Sequence, residues 1–86
     1  MAIARIGPPI LDDDDGHGNI TYRILLSYEP DQLWIDAFDA GLVVASLSVP
    51  HVDNDEIIVT VPSSGSLDEH LENIDARIVL ANELVR

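Results

Sequence analysis

Two acidic clusters and three histidines are the residues of this chain whose types and spacing could do chemistry. Asp12, Asp13, Asp14 and Asp15 stand in a row, followed by Gly16-His17-Gly18. Asp53, Asp55 and Glu56 crowd a second short stretch next to His51. Carboxylates this close together offer hard oxygen ligands to calcium, or a negative patch to a basic protein surface. The helix–loop–helix calcium pattern opens its loop with an acid, bends at a central glycine and closes with a glutamate. Aligning Gly16 with that glycine puts Leu11 where the first acid belongs and Tyr22 where the glutamate belongs, so the pattern fails. A looser oxygen cage is the remaining form of a calcium-responsive reading.

The other chemistries fall away on spacing. His17, His51 and His70 show no H-x-x-x-H or H-x-H arrangement, so they read as ordinary exposed histidines rather than zinc ligands. Ser63, Ser64 and Ser66 lack the G-x-S-x-G surroundings of a nucleophile elbow. Gly16-His17-Gly18 has no third glycine and opens no helix, which excludes a dinucleotide loop. With no cysteine there is no thiolate nucleophile, and with no lysine there is neither Schiff-base chemistry nor a P-loop cation. No acid–base–nucleophile constellation survives, so the expectation is a non-enzyme without cofactor or resident metal.

Charge gives the partner's sign. Sixteen acids face four arginines, Arg5, Arg23, Arg77 and Arg86, for a net charge of −12. Nucleic acid and anionic membrane both require cationic contacts, so direct binding to either is not expected. A basic protein partner is. The 86 residues make one domain, 1–86, and 47% of them are hydrophobic, which supports a folded core. No stretch resembles a secretory leader or a membrane span, and the expected location is the cytoplasm.

These residues need elements to position them. Ala2 to Ile6 reads as a short edge strand, stopped by Gly7-Pro8-Pro9. The aspartate run and Gly16-His17-Gly18-Asn19 then read as a long turn. Ile20, Tyr22, Ile24, Leu26 and Tyr28 alternate with Thr21, Arg23, Leu25 and Ser27, a strong strand signal. Pro30 and Asp31 open a helix of about three turns with Leu33, Trp34, Ala37 and Phe38 on one face, and Gly41 ends it. Leu42 to Val49 reads as a strand, HVDNDE as a loop, and Ile57 to Val61 as the last strand. Ser66 and Glu69 form a capping box before a five-turn helix with Leu67, Leu71, Ile74, Ile78, Ala81 and Val85 on its inner stripe. Arg77 suits the dipole of its second half.

The resulting order, ββαββα, predicts an α+β fold. It is a four-stranded, mostly antiparallel sheet with both helices on one face, a ferredoxin-like arrangement in circularly permuted order. A simple antiparallel meander with two helices is the alternative. In the first arrangement the aspartate turn lies where the second helix begins, and the Asp53–Glu56 loop where the first helix begins. Val79, Leu80 and Leu84 fall off the inner stripe and add an outward apolar surface, which also makes a homodimer a candidate. The functional expectation is a small acidic interaction module, an adaptor, regulator or inhibitor. Asp12, Asp13, Asp14, Asp15, Asp53, Asp55 and Glu56 would supply charge, and Leu80 and Leu84 apolar contact. A nucleic-acid-mimicking inhibitor or immunity-type protein is the alternative from a second class.

Overall fold

The computed structural model describes residues 2–41 and 47–85. Its elements follow the expected order: β1 (Arg5–Asp14), β2 (Asn19–Leu26), α1 (Gln32–Asp39), β3 (His51–Asp53), β4 (Glu56–Pro62) and α2 (Leu67–Leu84). The four strands form one sheet in the order β1-β2-β4-β3, with every neighbouring pair antiparallel. β2 and β3 therefore run the same way with β4 between them, so α1 belongs to a split β-α-β unit.

Alternation in β2 and β4 decides which face is covered. Tyr22 opposes Val59 and Ile24 opposes Ile57, and these pairs with Leu26 and Val61 turn toward the helices. Trp34 and Phe38 of α1 and Ile74, Ile78 and Ala81 of α2 close the same core. Each such large side chain contributes roughly 1.5–3 kcal/mol by leaving water. The opposite face carries Thr21, Arg23, Leu25, Ile58 and Thr60, with Thr21 and Thr60 hydroxyls 3.0 Å apart.

Four elements differ from the sequence expectation, β2 among them, since it ends at Leu26 rather than running on to Tyr28. β1 does not stop at Gly7-Pro8-Pro9 but runs through it to Asp14. The register slips between Ile6 and Ile10, and Gly7 takes a left-handed φ of 69° to allow it. Prolines, which lack an N–H, are tolerated because β1 is an edge strand. Asp12, Asp13 and Asp14 thus belong to a strand, and only Asp15 to Gly18 form the turn.

The expected strand from Leu42 to Val49 falls mostly on residues 42–46, outside the described residues, and residues 47–50 are not in a strand. The third strand is instead His51–Asp53, in the stretch expected as a loop. A tight turn with Asn54 at φ 55° folds it back onto β4. Asparagine tolerates that left-handed conformation better than most residues.

α1 has eight residues, nearer two turns than three. Asp31 is its N-cap, accepting the Trp34 N–H at 2.9 Å, and Pro30 precedes it. Trp34 is 2% exposed and Phe38 fully buried, whereas Leu33 points out at 68% exposure. α2 begins as expected, with Ser66 Oγ accepting the Glu69 N–H. Arg77 and His70, however, are buried in it, at 3% and 2% exposure.

Candidate functional site

The two acidic clusters lie at opposite ends of the sheet. Asp15 to Gly18 sit beside the start of α2, where the Ser63 N–H donates to Gly18 O at 2.7 Å. The Asp53–Glu56 turn sits beside the start of α1, where the Leu26 N–H donates to Asp55 O at 2.8 Å. α2 then runs about 27 Å, at 1.5 Å per residue, away from the aspartate end. Its Asn82 meets Ile3, and the neighbouring Ala4 carbonyl accepts the Ser27 N–H just beyond β2. Leu80 and Leu84 therefore stand at the same end as Asp53, Asp55 and Glu56, and Asp12–Asp15 at the other.

Within the aspartate run each carboxylate has a different neighbour. Asp12 lies 3.1 Å from Arg23 Nε at an angle that makes an ion pair but no hydrogen bond. Asp14 accepts the Gly16 N–H. Asp15 accepts the N–H groups of His17 and Asn19 and the Asn19 side-chain amide. The His17 N–H foremost, then the Asn19 amide and N–H, hold the Asp15 carboxyl below the usual aspartate range. Two of the four carboxylates thus build the turn, and Asp13 forms no ion pair among the described residues.

At the other end, Glu56 is also committed to Arg23, through Nη1 at 3.0 Å. One arginine on the uncovered face therefore ties an acid from each cluster. Among the described residues Asp53 accepts only from the neighbouring Asn54 side chain, at 3.3 Å. Asp55 is exposed with no ion pair among the described residues. Leu84 is 64% exposed, Val79 is exposed and Leu80 half-buried, so the outward apolar surface of α2 is present. Among the described residues, no group of three or more histidine, aspartate or glutamate side chains is placed to hold a metal ion.

The three described arginines all have internal tasks. Arg5 makes a two-pronged pair with Asp75, at 2.6 and 2.9 Å, and the bond to Asp75 raises its already high affinity for its proton. Arg23 bridges Asp12 and Glu56. Arg77 donates to Phe38 O at 2.8 Å and lies 5.6 Å from the centre of the Phe38 ring. Arg77 does not serve the dipole of its own helix; it caps the C-terminal end of α1.

His17 and His51 are exposed, but His70 is not. Its Nδ1 is 2.8 Å from Ser66 O, and its Nε2 accepts the Ser48 N–H at 3.1 Å. Both ring nitrogens are occupied, so His70 fastens the segment before β3 to α2. Its helical position one turn after Ser66 was visible in the sequence; the Ser48 contact was not.

One feature at the Leu84 end escaped the sequence reading. Ile3, Tyr28, Glu29, Pro30, Trp34 and Val85, with Asp31, line an open cavity of about 350 Å³. Tyr28 does not continue the inner face of β2, since that strand ends at Leu26 and Tyr28 is exposed. The adjacency Tyr28-Glu29-Pro30-Asp31 was readable, but the cavity needs Ile3 and Val85 from the two ends of the chain. No helix among the described residues is long and apolar enough to cross a membrane. Compared with models of protein families, with characterised proteins and with solved structures, the chain matches none.

Proposed function

We propose that this protein is a non-enzymatic interaction module whose acidic surface meets a basic protein partner. The observation that carries this reading is the imbalance left after folding. Every described arginine is committed internally, while Asp13, Glu29, Asp53, Asp55, Glu72 and Glu83 form no ion pair among the described residues. Unpaired surface carboxylates speed encounter with a basic surface and weaken that encounter as salt screens them. Affinity needs apolar area as well. The end bearing Asp53 and Asp55 also carries Val79, Leu80 and Leu84, so it is the better docking end. Asp14 and Asp15 hold the opposite turn together, and Asp12 and Glu56 are engaged by Arg23, so these four contribute field more than contact.

Immobilised protein tests the reading. A basic partner is retained at low salt, released at high salt, and lost from an Asp53→Asn/Asp55→Asn/Leu84→Ser variant. Retention that ignores both salt and that variant removes the proposal. Release of the partner by duplex DNA selects the nucleic-acid-mimicking form of it.

A further inference from the structure

The cavity at the start of α1 is a place for one side chain of that partner. We propose that it receives an arginine, an inference that rests on the basic-partner reading and names the group recognised. Its volume of about 350 Å³ sits at the low end of the roughly 300–1,000 Å³ typical of ligand pockets, enough for one side chain. Ile3, Pro30, Trp34 and Val85 give it apolar walls along which an aliphatic stem can lie. Tyr28 lines it too and is more than half exposed, and its ring offers a face over which a cation is attracted. Glu29 adjoins it, exposed and without an ion pair among the described residues.

Charge decides between occupants. Among the described residues the lining holds two carboxylates and no cationic side chain. Asp31 spends one oxygen on the Trp34 N–H, which answers the positive end of α1, so Glu29 is the acid left to face the guest. Arginine suits the site better than lysine. Its planar guanidinium is weakly hydrated, stacks on an aromatic ring and pairs a carboxylate through two N–H groups.

Trp34 is the only tryptophan and lines the cavity, so its fluorescence and indole N–H resonance report occupancy. The probe is N-acetyl-arginine amide, and the control is its neutral isostere N-acetyl-citrulline amide. Titrations use the native chain and Arg86→Ala, which removes the guanidinium that follows Val85 in sequence. Saturable shifts at Tyr28, Trp34 and Val85 with the arginine probe are expected. Glu29→Gln or Tyr28→Ala should weaken that binding by roughly three- to tenfold, leaving the citrulline response unchanged. An equal response to both probes, or unaltered affinity in Glu29→Gln, overturns the proposal. The two readings fail separately. A partner still retained at low salt by Glu29→Gln and Tyr28→Ala, with wild-type affinity, overturns the cavity and leaves the general reading. Saturation by the arginine probe with no basic partner retained does the reverse.

Discussion

Arg77 occupies the space that a side chain on Gly41 would need. A Cβ at position 41 would stand 2.7 Å from Arg77 Cγ and 3.1 Å from Phe38 O. Glycine at the end of α1 therefore does more than stop a helix. It lets α2 lay a buried guanidinium stem across that end and satisfy the Phe38 carbonyl.

Gly41→Ala should destabilise the protein by about 1–3 kcal/mol, the usual range for forcing extra atoms into a packed site. In an Arg77→Ala background the same substitution should lose most of that effect, because the obstructing stem is gone. Urea denaturation midpoints of the four variants in this cycle measure it. Additive effects would mean the two positions do not share that space.

Asn82 fastens the beginning of the chain to its end. Its Oδ1 accepts from Ile3 N–H at 3.0 Å and Trp34 Nε1 at 2.9 Å, and its Nδ2 donates to Ile3 O at 2.8 Å. Asn82→Leu leaves three half-buried polar groups unpartnered and should destabilise by about 2–4 kcal/mol. Thermal unfolding followed by Trp34 fluorescence reads the loss. A variant of native stability would show that water replaces Asn82 at little cost.

Asp15 gives the turn between β1 and β2 an acid-sensitive hold. Its proton affinity is depressed in the folded state, so its contribution is present above the ordinary value of 3.8 and fades as pH falls through the lower folded value. Amide exchange at His17 and Asn19, corrected for intrinsic rates, should quicken as pH falls below that ordinary value. Asp15→Ala should show the faster exchange at neutral pH as well. Equal protection in both proteins across the range contradicts the assignment.

His70 is predicted to carry a proton on Nδ1 and none on Nε2, because Nε2 accepts from Ser48. Nitrogen chemical shifts of the ring at neutral pH identify that tautomer directly. His70→Phe removes both bonds and should lower stability by about 1–3 kcal/mol. A proton on Nε2 in the native chain refutes the Ser48 link.

Salt should stabilise the fold. With a net charge of −12 and the described arginines already paired or buried, the remaining carboxylates repel one another. Screening that repulsion should raise Tm between low and physiological ionic strength, whereas a fold held by surface ion pairs would weaken. Calorimetry in sodium chloride separates the two signs.

Local patterns in the sequence determined most of the architecture. The alternation beginning at Ile20, the capping of α2 by Ser66 and the spacing Leu67-Leu71-Ile74-Ile78-Ala81 are short-range signals; α2 formed where it was expected, and β2 did so except that it ends at Leu26 rather than running on to Tyr28. The composition likewise fixed the sign of the surface. Tertiary structure alone decided the rest, because those features depend on residues far apart in the chain. β1 runs through Pro8 and Pro9 because it is an edge strand whose pairing with β2 is interrupted between Ile6 and Ile10, so the N–H donors that proline lacks are not called on there. Arg77 and His70 look like surface residues in a helical pattern, yet each is buried by a carbonyl or an N–H from another segment. The cavity beside Trp34 exists only where Ile3 and Val85 meet the β2–α1 connection, a juxtaposition that no spacing in the sequence encodes.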